Sequence, residues 1–107
     1  MATSKEFLTY VLDQLSEVDG ISHRAMMGEY ILYKNGKIAA YLCDGQMLVK
    51  PVPAAKALLP DAPLQPPYEG AKEMLLVRSL EDRDFLKRLL DEMEPQLALP
   101  KPRKKKG

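Results

Sequence analysis

The chain has 107 residues, 46% of them hydrophobic and 29% charged, which suits one domain able to bury roughly two thirds of its unfolded surface without staples. A single cysteine, Cys43, and a single histidine, His23, exclude an intrachain disulfide, a structural zinc site and most nucleophile–base pairs, and no apolar run reaches the roughly 18 to 20 residues of a membrane helix. The net charge of +1 conceals an asymmetry: five of the 16 basic residues fall in 101–107, so the first hundred residues hold 11 against all 15 acidic ones.

The N-terminus, MATSKEFLTY, lacks the basic and apolar regions of a secretory signal, so the expected location is the cytoplasm. Ser4 is placed to cap a first helix in which Phe7, Leu8, Val11, Leu12, Leu15 and Val18 form one apolar stripe, ended by Gly20. Lys5, Glu6, Asp13, Gln14 and Glu17 then face solvent.

From Arg24 to Lys50 three strand-like runs are joined by Asn35-Gly36 and Asp44-Gly45, dipeptides that accept the positive φ of two-residue hairpin turns. Uninterrupted pairing from those turns sets Lys34 opposite Lys37, Ile31 opposite Ala40, Leu42 opposite Met47 and Ala40 opposite Val49. The pleat then puts Glu29, Ile31, Tyr33, Ile38, Ala40, Leu42, Met47 and Val49 on a core face. The other face carries Tyr30, Leu32, Ala39, Tyr41, Cys43, Leu48 and Lys50, with Lys34, Lys37 and Gln46 toward the turns. Gly28 at the entry to the meander suggests a bulge or sharp bend that redirects Arg24 and Glu29, or a bend required only by sheet curvature.

Six of the nine prolines lie between Pro51 and Pro67, around a short AAKALL helix that Pro60 stops. Residues 61–72 read as a long loop, and such loops in small domains are often functional. Residues 73–77, EMLLV, form a further strand. Ser79, with Asp82 at the capping-box position, opens a last helix whose stripe is Phe85, Leu86, Leu89, Leu90 and Met93, closed by Pro95. The class is α+β: an antiparallel sheet of four to five strands with an N-terminal, a short middle and a C-terminal helix. The expected division is a domain over 1–98 and a basic, disordered tail over 99–107.

The segments HRAMMGEYILYKNGKIAAYLCDGQMLVKP and PYEGAKEMLLV, in this order of elements, resemble the TfoX N-terminal-domain family, founded on the TfoX/Sxy regulators of bacterial competence. The resemblance runs over about residues 4–97, with Tyr68 and Lys72 as supporting matches, and implies an α+β domain in a bacterial setting. In the regulators a second domain follows, and the protein assists transcription of DNA-uptake genes beside a promoter-bound activator and the polymerase. Here only the basic tail follows residue 98, so coactivation is carried by analogy of fold.

Three functions follow as expectations. The first is a non-enzymatic regulatory binding module, monomeric or weakly dimeric and without cofactor or metal. It would meet protein partners, transcription machinery among them, through Tyr30, Leu32, Tyr41, Leu48 and Lys50, with Tyr30 and Tyr41 directly cross-strand. Its counterpart is that the last helix or the 61–72 loop covers this face. The functional bend and loop would comprise Arg24, Gly28, Glu29, Tyr68 and Lys72. The second is a nucleic-acid module using the Tyr/Lys face and the tail residues Lys101, Arg103, Lys104, Lys105 and Lys106, against which stand the acidic body and the absent RNA-recognition signature. The third is a small-molecule-binding domain or enzyme in which Glu29, Lys50, Tyr68, Lys72 and Glu73 converge. His23 as a lone surface histidine and Cys43 as a small buried side chain complete the reading.

Overall fold

A computed structural model describes residues 4–98. The order is α1 (Lys5–Gln14), β1 (Ile21–Met26), β2 (Glu29–Lys34), β3 (Lys37–Cys43), β4 (Gln46–Val49), α2 (Pro53–Leu58), β5 (Leu64–Gln65), β6 (Met74–Val77) and α3 (Arg83–Met93), closed by a 3₁₀ turn at Glu94–Gln96. The strands form one antiparallel sheet in the order β1-β2-β3-β4-β6-β5. The class is the one expected, with six strands in place of four to five. The two additions are β1, formed by the polar ISHRAM segment, and β5, two residues inside the proline-rich loop.

The expected Ser4 cap is present, whereas the expected Ser79 cap is replaced by Asp82, because α3 begins three residues later than a Ser79 cap would start it. Ser4 Oγ accepts from the Phe7 N–H at 3.1 Å, satisfying a first-turn donor of α1. At α3 the cap is Asp82, whose Oδ1 accepts from the Phe85 N–H at 3.0 Å, and Ser79 lies in the turn before it. The α1 helix is shorter than its stripe, ending at Gln14, while Leu15 and Val18 continue the apolar contact from a turn. Gln14 is also corrected: it is buried, and its Nε2 donates to the Leu80 carbonyl at 2.8 Å, an attachment of α1 to the start of α3.

All three helices cover one face of the sheet. Leu8, Val11 and Leu15 from α1, Ala55 from α2, and Leu86, Leu89, Leu90 and Met93 from α3 meet Leu32, Ala40, Leu42, Met47, Val49, Leu75 and Val77 in one buried cluster. Burial of such side chains stabilises a fold by about 1.5 to 3 kcal/mol each, so this layer carries most of the stability.

The register departs from the expected one at a single place. Tyr33 pairs with Ile38 as the turn dictates, but Leu32 pairs with Ala40, Ile31 with Tyr41 and Tyr30 with Leu42. Ala39 is the extra residue of a β-bulge. Its carbonyl still accepts from the Lys50 N–H at 3.0 Å, and Ala39 and Ala40 both enter the helix-side core, a crowding that small side chains allow. A one-residue shift turns every paired side chain to the opposite face. Tyr30 and Leu32 therefore lie on the helix side, and the register sends Glu29, Ile31, Tyr33 and Ile38 to the other.

Lys34 and Lys37 likewise lie toward the helices. Lys34 is almost fully buried; its Nζ donates to the Asp19 carbonyl at 2.7 Å and stands 3.6 Å from Asp91 and 3.9 Å from Glu94. Lys37 pairs with Glu94 at 3.5 Å. The Asn35 side chain, more than burial or the two lysines, governs the Glu94 carboxyl and holds it below its usual range. These contacts tie the β2–β3 turn to the C-terminal end of α3.

Met27-Gly28 is a third two-residue hairpin turn, with φ of +51° and +85°, rather than a bulge within a strand. Methionine lacks the short polar side chain that eases such a φ, and here it is 92% exposed.

Candidate functional site

The face opposite the helices holds the remaining chemistry. Its β4–β6 half has a second buried cluster, Cys43, Leu48 and Met74, with Tyr41 and Leu76 packed against it. The loop that follows β5 lies over this half. Pro67 is buried and Tyr68, 49% exposed, brings its ring to 6.1 Å from that of Tyr41, tilted by 59°. The Ala71 N–H closes the loop on the Tyr68 carbonyl at 3.0 Å, with Gly70 between them at φ +88°. Gln65 Nε2 donates to Gln46 Oε1 at 2.6 Å, fastening the β5 segment to β4.

Between loop and sheet is a cleft of about 260 Å³, lined by Tyr41, Lys50, Tyr68, Lys72 and Glu73 over apolar walls that include Pro67 and Met74. A neighbouring cleft of about 290 Å³ shares Lys50 and Pro51 and is completed by Ile38, Val52 and the 96–98 segment. Burial first, then the charges of Tyr68 and Tyr33 and a hydrogen bond with Tyr68, push the Tyr41 phenol above its ordinary value, so it stays a neutral donor at physiological pH. Tyr33 is the diagonal cross-strand neighbour of Tyr41, whose direct partner is Ile31. Three tyrosines, 33, 41 and 68, thus cross the helix-free face. Tyr33 escaped the sequence reading because only the bulge turns it outward, and the sole local sign of the bulge is the Ala39-Ala40 pair.

The expected binding face is therefore divided. Tyr41 and Lys50 are where they were placed. Leu48 is on the expected face but fully buried, and Leu32, 1% exposed, belongs to the opposite core. Tyr30 packs beside the helix-side core, with its ring 6.3 Å from His23, and is not the partner of Tyr41. Among the described residues the loop covers the face only in part, and no helix covers it.

Of the bend and loop residues, Tyr68 and Lys72 line the cleft, whereas Gly28 is in the β1–β2 turn and Arg24 is exposed on β1 opposite Ile31. Glu29, paired with Met26, sits beside Cys43 rather than in the cleft, so the five-residue convergence expected of an enzyme is reduced to Lys50, Tyr68, Lys72 and Glu73. Burial, helped by Glu29 and Asp44, pushes the Cys43 thiol up to about 11, which keeps it protonated and inert. Lys101, Arg103, Lys104, Lys105 and Lys106 lie outside the described residues. Among the described residues no group of three His, Cys, Asp or Glu side chains could hold a metal, and no helix is long and apolar enough to cross a membrane.

The model of the TfoX N-terminal domain family matches residues 13–92. An uncharacterised 12.7 kDa protein encoded in the trpE 5′ region of Spirochaeta aurantia is 33% identical over 107 residues, covering 99% of this chain and 93% of that protein. No solved structure matches significantly. With three quarters of its length inside the family's pattern and a full-length relative of the same size, the chain belongs to the TfoX N-terminal domain family.

Proposed function

We propose that this protein is a non-enzymatic regulatory binding module that receives a protein partner on its helix-free sheet face. The observation that carries the reading is the Tyr41–Tyr68 contact on a face that no helix covers, extended by Tyr33 and bordered by Lys50 and Arg24. Tyrosine and arginine supply large contact area and hydrogen bonding at low ordering cost, and partly exposed rings of this kind gain most when a partner desolvates them. Membership of the family supports a regulatory role, and its founding regulators suggest components of the transcription machinery as partners.

Amide-resolved NMR titration with isolated polymerase subunits and the promoter-bound activator tests the reading. Shift changes centred on Tyr33, Tyr41 and Tyr68 support it. Changes confined to the helices or to residues 99–107 contradict it. A second reading, single-stranded nucleic acid stacked on the same tyrosines, draws on Lys50 and Lys72 beside Tyr41 and Tyr68. It requires that a chain truncated after Leu99 still bind oligonucleotide at low salt; if truncation removes all binding, only the charge of the tail was acting.

A further inference from the structure

The cleft under the 66–73 loop has a donor content that protein docking does not require. Two lysines, Lys50 and Lys72, and two tyrosines, Tyr41 and Tyr68, line it, against one acidic residue, Glu73. Among the described residues neither lysine side chain has an ion-pair partner. Elsewhere the same chain does pair its lysines: Lys34, Lys37 and Lys87 all meet carboxylates. The excess of donors is joined to an apolar surface, since Pro67 and Met74 are buried in the cleft wall and the Tyr41 ring is packed on the Leu48 cluster.

We propose that this cleft binds a small aromatic carboxylate, its ring against Tyr68, Pro67 and Met74 and its carboxylate between Lys50 and Lys72. A flat ring fits the tilted tyrosine pair by edge or offset contact. A carboxylate accepts charge-assisted hydrogen bonds from both ammonium groups, with the Tyr41 hydroxyl as a further donor. The volume of about 260 Å³ accommodates a single-ring molecule. The site lies at one end of the face assigned to partner docking but does not depend on it: a bound ligand would meet the loop that carries Tyr68, and so alter half of the tyrosine contact that a partner would use.

Titration of the full chain with benzoate tests the proposal, followed by amide NMR and by tyrosine fluorescence, which no tryptophan obscures. The expected result is saturable shifts at Tyr41, Lys50, Tyr68 and Lys72, with acetate and benzamide at least about tenfold weaker, because each lacks one half of the recognition. Lys72→Met and Lys50→Met should each weaken benzoate about tenfold or more while leaving the unfolding midpoint unchanged. The proposal is overturned if benzoate gives no saturable shift, or if benzamide binds equally well. It is overturned too if the shifts map to Ile38, Val52 and Leu97 with Lys72→Met without effect, which would place the ligand in the neighbouring cleft. Because the titration uses the isolated protein, its failure leaves the partner-docking reading standing, and the converse holds.

Discussion

The two faces of the sheet share strands, turns and backbone hydrogen bonds, yet they are built to opposite ends. On the helix side Leu32, Leu42, Met47, Leu86, Leu89 and Met93 are essentially without solvent, and a change in any of them leaves a void that its neighbours cannot close. On the other side Ile31, Cys43, Leu48 and Met74 are dry, the last three under a loop, and the remaining surface presents half-buried or exposed tyrosines and cations. One layer holds the fold; the other is free to hold something else. What separates them is the bulge at Ala39, since an unbroken register that paired Ala39 with Leu32 would put Tyr30 in place of Tyr33 on the open face.

Removing Ala39 tests how far the pairing depends on the extra residue. Deletion of Ala39 leaves every observed β2–β3 pair in place, with Leu32 still opposite Ala40 and Tyr30 opposite Leu42, and removes only a buried methyl and the carbonyl that accepts from the Lys50 N–H, a loss expected at about 1 to 2 kcal/mol. Chemical denaturation measures it, and a loss of about 4 kcal/mol or more would show that the pairs from Leu32 to Tyr30 do not survive without the bulge. The largest loss is expected on the helix side, where Leu89→Ala should cost about 2 to 5 kcal/mol, whereas Leu12→Ala, half-buried beside the same cluster, should cost about 1 kcal/mol. Equal losses at the two sites would mean that α1 is more deeply packed than described.

The sequence makes the helix-covered layer legible and the open one only in part, for a physical reason. Helix stripes such as Leu86, Leu89, Leu90 and Met93 repeat a period fixed by the helix itself, so pattern and burial coincide. A hairpin turn fixes pairing only near itself: Asn35-Gly36 sets Lys34 and Tyr33 correctly, and four residues on, the bulge has reversed every side chain. The β1 strand was hidden because its six residues are mostly exposed and carry no alternation, and because Met27 occupies a turn position where Asn, Asp or Gly would announce a hairpin. The cleft was half visible: Tyr68 and Lys72 were singled out, but their meeting with Tyr41 depends on how far the proline-rich loop folds back over β4.

The two faces also predict opposite behaviour for two tyrosines. Tyr30→Ala should cost about 2 kcal/mol and leave partner binding intact in the surviving folded protein, since its ring packs beside the helix-side core. Tyr41→Ala should cost only about 1 kcal/mol and abolish partner binding. The reverse assignment of stability and binding would move the interface to the other face.

Alkaline pH probes the dry half of the open face. The folded Cys43 thiol, at about 11, lies above the ordinary thiol pKa of about 8.5, so the unfolded chain loses this proton first and stability falls as pH rises between those values. The loss at pH 9.5 should be about 1 kcal/mol, present in the parent and absent from Cys43→Ala. The Tyr41 phenol, also raised, adds a loss of the same sign above about pH 10. An identical pH profile for parent and Cys43→Ala would show that the thiol is not buried as described. The smallest effect is a gain: Met27→Asn relieves the left-handed φ of an exposed methionine and should add about 0.5 to 1 kcal/mol, read as a rise in melting temperature.

The sorting of tyrosines by the Ala39 bulge is tested most directly by side-chain nuclear Overhauser effects in the full chain. The account predicts ring-to-ring contacts between Tyr41 and Tyr68 and between Tyr30 and His23, and none between Tyr30 and Tyr41. A strong Tyr30–Tyr41 contact, with Tyr68 apart from both, would contradict it: the pairing would then be unbulged and the proposed binding face would lose its centre.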